Sequence, residues 1–190
     1  NNYSLNTVDI CPVGALTSKD FRFKMRVWFL KETQTIDVSC GTGCNIVIGS
    51  RENIVYRITP RENEEVNSCW MPDSHRMNFH YLHSDERLVS PLVKEEEAPS
   101  KWTRALAAAA EKLQGRDPSK TALIASARMT NEELFLARRL ASALKIEAFD
   151  VLPRPQKGDG FLISEDGNPN TSGAKLLGLA TGKLPEIARR

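Results

Sequence analysis

Two cysteines four positions apart bracket a glycine-rich turn, Cys40-Gly-Thr-Gly-Cys44. Thiolates at such a spacing can open a metal or iron–sulfur cage, because sulfur is a soft, charged donor and four ligands are the usual complement. Glycines between them let the backbone wrap without steric penalty. The same pair reads equally well as two small buried apolar side chains, a common fate of free cysteine. Two further cysteines, Cys11 and Cys69, and three histidines, His75, His80 and His83, widen the set of donors. Cys40, Cys44, Cys69 and His75 could make a Cys3His zinc site. Gly41-Thr-Gly43 is only half of a dinucleotide-binding fingerprint, and a strand pattern rather than a helix follows it.

The elements that must hold these residues fall into two patterns. Phe21, Phe23, Met25, Val27 and Phe29 alternate with Arg22, Lys24 and Arg26, which predicts a strand with one buried face. Asn45–Ile48 and Ile54–Ile58 are β-branched runs around Gly49-Ser-Arg-Glu-Asn53, a predicted hairpin closed by the turn residues Pro60 and Asn63. Trp28 and Trp70 are expected in the core of this antiparallel module, and the histidines at its surface or satisfied inside it. Beyond the charged stretch Leu88–Pro99, read as a solvated linker, the period becomes helical. Trp102, Leu106, Ala109 and Leu113 share a face that stops at Gly115. Thr121–Ser126 reads as a buried strand, and Thr130-Asn-Glu-Glu133 as a capping box opening a helix through Leu144. Glu147–Val151 and Phe161–Ile163 are further strand candidates, and Ser172–Leu179 a helix. Alternating strand and helix predict a parallel α/β layer.

Composition excludes several classes. The 190 residues carry 26 basic and 24 acidic side chains, well mixed, so no nucleic-acid or membrane-surface partner is indicated. No apolar run approaches the roughly 18 residues of a membrane span. Four unevenly spaced cysteines favour a reducing compartment over a disulfide framework. No nucleophile–base pair and no phosphate loop is evident, and Asp150 and Asp159 read as ordinary strand-end or loop acids.

The segment Phe21–Pro91 resembles the small iron–sulfur domain that opens the molybdopterin-oxidoreductase family. The residues that carry the likeness are Arg26-Val-Trp28, Cys40-Gly-Thr-Gly-Cys-Asn45, Val55-Tyr-Arg57-Ile58, Pro60-Arg61-Glu-Asn63, Val66-Asn67, Trp70, Asp73, Arg76 and Glu86-Arg87-Leu88. In that family a [4Fe–4S] cluster is held by C-x2-C-x3-C and a fourth cysteine downstream. The resemblance lays those positions on Asp37, Cys40, Cys44 and Pro72, so two of the four thiolates are missing. Within the family the chain is most similar to the G-type large subunits of NADH:quinone oxidoreductase, respiratory complex I. Cys11-Pro-Val-Gly-Ala-Leu-Thr17, the acid at position 37, and Asn168-Pro-Asn170 with Ser172-Gly-Ala-Lys-Leu-Leu-Gly178 point there.

The resemblance implies an α+β fold cut from inside a longer subunit. Residues 1–20 would be the tail of an upstream ferredoxin-like region and 21–90 a small antiparallel, degenerate [4Fe–4S] domain. Residues 91–100 would be a linker and 101–190 part of a Rossmann-like layer. Cys11 would ligate an upstream [4Fe–4S] cluster in the full-length subunit, while Cys40 and Cys44 would be remnants of a lost site. No molybdenum, no cofactor in this stretch and no independent catalysis are expected. The role implied is a scaffold in the peripheral arm, soluble in itself and placed with neighbouring subunits on the cytoplasmic side of the inner membrane. Two alternatives stand beside it. One is a working cluster on Cys40, Cys44, Cys69 and Asp37 or His75. The other is the homologous subunit of a soluble NAD-linked hydrogenase or formate dehydrogenase.

Overall fold

A computed structural model describes residues 1–94 and 99–188. The acidic part of the linker, residues 95–98, lies outside the described residues. The chain opens with a helix, α1 (Ser4–Ile10), and then a polar edge strand, β1 (Lys31–Ile36). The hairpin β2 (Asn45–Arg51) and β3 (Ile54–Pro60) follows, then one turn of helix, α2 (Asp73–Arg76). After the linker come α3 (Trp102–Leu113), β4 (Ala122–Ser126), α4 (Asn131–Ala143), β5 (Ala148–Leu152), α5 (Thr171–Leu176) and α6 (Leu184–Ile187). The fold is α+β, with a three-stranded antiparallel sheet and a two-stranded parallel one.

In the first sheet β2 is central, pairing Ile36 with Asn45 on one side and Ile46 with Pro60 on the other. Glu52 and Asn53 turn the hairpin with φ of 53° and 63°, the left-handed pair that matches strand twist. Ile46, Ile58, Met71 and Phe79 form the core beneath it. β1 carries Lys-Glu-Thr-Gln-Thr-Ile and is almost wholly exposed, as suits an edge strand that must resist further pairing. Helix α1 is tied to this unit by side chains. Asn6 donates to the Met71 carbonyl at 2.8 Å and accepts from the Met71 amide at 2.9 Å, acting as a strand partner would. The Asp73 carboxylate accepts from the Leu5 amide and the Ser4 hydroxyl, and Arg76 meets Asp9 at 2.7 Å.

In the second unit β4 and β5 run parallel, Ala122 against Ala148 through Ser126 against Leu152. Helix α4 joins them and starts with the expected capping box between Thr130 and Glu133. Ala125, Ala127, Leu134, Val151, Ala174 and Leu179 pack as its core. Gly173 lets α5 approach Asn131 and Asn170, whose side-chain oxygens would have to move to admit a Cβ there.

Four expectations are corrected. Phe21–Phe29 is not a strand: it is a series of turns ending in a short 3-10 segment, Val27–Phe29, and Phe23 is 98% exposed. Its left-handed φ of 65° breaks the extended path that alternation alone requires. Trp28 (73% exposed) and Trp70 (40%) are not core residues; the core is filled by aliphatic side chains, Met71 and Phe79. Phe161–Ile163 is a loop, because the Asp159 carboxylate takes its three amides and leaves none for a ladder. Thr121–Ser126 does form a strand, Ala122–Ser126, but not a buried one: only Ala125 is buried and Ile124 is 54% exposed on the open face.

Candidate metal centre

The Cys40–Cys44 turn links the end of β1 to the start of β2. The Asp37 amide donates to the Cys44 carbonyl at 2.7 Å and closes the loop, and Gly43 supplies the left-handed residue (φ 66°) it needs. Both cysteines are fully buried. Cys40 Sγ lies 3.8 Å from the Leu162 carbonyl, a weak hydrogen bond that a thiol can donate and a thiolate cannot. Burial, then the negative charge of Asp37 and the neighbouring Cys40, push the Cys44 thiol up to about 12. It is therefore a neutral group at ordinary pH.

Asp37 is buried beside the turn. Its Oδ2 lies 2.6 Å from His75 Nδ1, while its Oδ1 accepts from the Ser39 amide at 3.0 Å and hydroxyl at 2.7 Å. Burial pushes this carboxyl up, but the hydrogen bonds of His75 and Ser39 outweigh it and hold it below the usual carboxylate value. Pro72, at the fourth position, is fully buried ahead of α2 and has no side-chain donor atom. Cys69 is exposed, and among the described residues no three His, Cys, Asp or Glu side chains converge on one ion. Asp37 pairs with His75 beside the Cys40–Cys44 turn, while Cys69 lies exposed at the surface.

This donor set does not fit a [4Fe–4S] cluster. A cluster takes four thiolates; at the positions the resemblance gives to ligands stand a carboxylate whose oxygens are committed to His75 and Ser39 and a pyrrolidine ring with no donor atom. Cys11 stands apart, half-buried in the Cys11–Leu16 turn, where backbone hydrogen bonds at Val13 and Leu16 hold its thiol below the ordinary value.

The turn makes a different contact that sequence reasoning missed. Gly41 donates its amide to the Asp166 carbonyl at 2.8 Å, and a Cβ at Gly41 would sit 3.4 Å from the Asn168 carbonyl and Ser164 Oγ. The loop 156–168 of the α/β unit is therefore seated on the cysteine turn. Asp159 organises that loop by accepting the amides of Phe161, Leu162 and Ile163 at 2.9–3.0 Å and the Tyr3 hydroxyl. Burial raises its carboxyl, but these bonds, led by Tyr3, bring it down to about 2. Tyr3, Trp70 and Phe161 meet edge to face across the joint. Asn168 and Asn170 hold the other end, donating to the carbonyls of Leu152 and Met129, both at 3.0 Å. A signal did exist: Asn-Pro-Asn between two apolar runs is turn chemistry, but nothing local says which turn it meets.

Residues 30–80 match a protein family described as NADH-ubiquinone oxidoreductase NDSU1/NuoG-like, 4Fe-4S domain. The chain is 38% identical over 148 residues to the G-type subunit of the NADH-quinone oxidoreductase of Rickettsia felis, covering 77% of this chain and 22% of the relative. It is 36% identical over 165 residues to the corresponding G-type protein of Rickettsia typhi, covering 86% of this chain and 24% of the relative. With the mitochondrial 78 kDa subunit of Neurospora crassa NADH-ubiquinone oxidoreductase it shares 44% identity over 115 residues, 60% of this chain and 15% of that one. These matches bear out the resemblance read from the sequence. The chain spans about a quarter or less of the length of these relatives.

Proposed function

We propose, since residues 30–80 belong to the NuoG-like 4Fe-4S domain family of NADH-quinone oxidoreductase subunits, that this chain is a scaffold within such a subunit. It would sit beside an iron–sulfur electron-transfer chain without adding a redox centre at the Cys40–Cys44 turn. The observation that carries this reading is the pairing of Asp37 with His75 and Ser39 opposite a buried Pro72. Together they turn two ligand positions into ordinary protein interior. The cysteine turn then serves as the seat for the loop 156–168.

On this reading residues 21–90 are a degenerate cluster domain and residues 101–190 the start of a Rossmann-like layer, joined by the linker 91–100. The parallel pair β4–β5 connected through α4 supports that architecture, since parallel strands need a crossover helix and cover on both faces. Ile124 and Leu152, about half exposed on the sheet face away from the core, and the bare stripe of α3 are where further layers would pack. Cys11, in its turn of inward-facing backbone, would give one thiolate to a cluster built with residues elsewhere in the longer subunit. Neighbouring subunits of a peripheral arm are the partners, and a membrane-associated complex on the cytoplasmic side is the setting. Among the described residues no helix is long and apolar enough to cross a membrane.

The test is made in the assembled complex carrying the full-length subunit. With Cys40→Ser and Cys44→Ser together, NADH-to-quinone turnover is expected to stay within about twofold of the parent, because no electron passes through that turn. Cys11→Ser is expected to lower it by about tenfold or more, in the same order-of-magnitude terms. Loss of turnover in a Cys40/Cys44 variant that still assembles would overturn the scaffold reading.

A further inference from the structure

The stretch Lys19–Lys31 holds five basic residues, its two terminal lysines included, against a single acid, Asp20, in a chain whose charges otherwise nearly balance. Its aromatic and apolar side chains do not enter the core. Phe23 is 98% exposed, Trp28 73% and Phe29 54%. Phe23 also sits at a left-handed φ of 65°, a conformation costly for a bulky side chain. Phe23 and Phe29, but not Trp28, line a cleft of about 390 Å³ with Lys24, Met25, Arg26 and Arg51. Its walls carry three cations and no acid. The Arg26 guanidinium lies 5.8 Å from the Trp28 ring centre and that of Arg51 lies 5.0 Å from Phe29. Stacking on a ring fixes the plane of a guanidinium and leaves its N–H fork free for a carboxylate. Lys24 is met by Asp20 at 3.1 Å and Arg51 by the exposed Glu52 at 3.3 Å, while Arg26 has no acid within ion-pair reach among the described residues.

We propose that this cleft is a docking site for an acidic protein segment that carries an apolar side chain. The apolar side chain would occupy the space between Phe23, Met25 and Phe29, and the flanking carboxylates would take the Arg26 and Arg51 forks. An anionic membrane shares the charge but not the shape. The apolar groups line a concave cleft and the segment holds only a three-residue 3-10 turn, not the long amphipathic helix that lies flat in an interface. The inference is carried by this surface alone and does not depend on the scaffold reading.

A labelled peptide of about twelve residues, rich in Asp and Glu around one Phe, tests it by fluorescence polarisation. Its match with Asn and Gln in place of the acids is the control. The acidic peptide is expected to bind about tenfold more tightly than the amide peptide, and to weaken as salt is raised. The double variant R26A/R51A is expected to lose about tenfold in affinity. Phe23→Ser, at a side chain that touches almost nothing, is expected to lose several-fold with an unchanged melting temperature, which separates lost docking from lost folding. Equal binding of the two peptides, or unchanged binding by R26A/R51A, would overturn the proposal. So would displacement of the peptide by phosphatidylcholine vesicles with about one quarter phosphatidylserine, or by a single-stranded oligonucleotide.

Discussion

Asp37 Oδ2 and His75 Nδ1 lie 2.6 Å apart inside the small domain, 38 residues apart in sequence. The bond joins the end of β1 to α2 and commits the carboxylate that the family resemblance sets at the first ligand position. Removing one partner strands the other. His75→Ala should therefore destabilise the chain by about 3 kcal/mol, since Asp37 keeps its Ser39 contacts but loses its main partner. Asp37→Asn combined with His75→Ala should cost less than the sum of the two single changes, by roughly 1 kcal/mol or more. Urea unfolding of the four proteins of this cycle reads the coupling directly; strict additivity would show that the pair is not a stabilising unit.

Asp150 predicts how the α/β unit responds to acid. Its carboxylate accepts from the amides of Val151 (2.8 Å), Thr181 (3.0 Å), Gly182 (3.3 Å) and Leu184 (2.6 Å), and so binds β5 to the start of α6. Burial pushes the carboxyl up, yet these bonds win and hold it below 3.8. A folded value below the unfolded one means that the stabilisation is present above 3.8 and is lost as pH falls through the lower, folded value. Asp150→Asn should be less stable than the parent at neutral pH by about 2 kcal/mol, with the gap closing as pH drops below that range. A gap that is constant with pH would contradict this assignment.

Thiol reactivity separates the cysteines. Cys69 is exposed and Cys11 half-buried with a lowered thiol, whereas Cys40 and Cys44 are buried and Cys44 is held up at about 12. Under native conditions iodoacetamide should label Cys69 and Cys11, with Cys11 favoured by its thiolate fraction. Cys40 and Cys44 should react only after unfolding. Peptide mass spectrometry over time gives the order, and early labelling of Cys44 would show that the turn opens more readily than its hydrogen bonds suggest.

Local chemistry was legible in the sequence and long-range contact was not. The hairpin, the Thr130–Glu133 capping box and the parallel β4–β5 pair follow from β-branched runs, cap residues and period, all written within a few neighbouring positions. The alternation at Phe21–Phe29 failed because one left-handed residue, Phe23, cancels a pattern that assumes a continuous extended backbone. β1 was missed because Lys-Glu-Thr-Gln-Thr-Ile is an edge strand with little apolar signal. At the candidate site the turn and its acid at position 37 were readable. The partner of that acid, His75, and the loop that covers Gly41 were not, because each is decided by packing between distant segments.

If the Cys40–Cys44 turn is protein interior rather than a cluster cage, it should take up no metal even when metal is offered. Iron, acid-labile sulfide and zinc can be measured, with an absorption spectrum, on this chain purified and reconstituted without oxygen. None of the three is expected to reach stoichiometric amounts, and no brown chromophore is expected to develop. Iron and sulfide at cluster stoichiometry, abolished by Cys40→Ser and Cys44→Ser, would instead make the turn a working redox centre and refute the scaffold role.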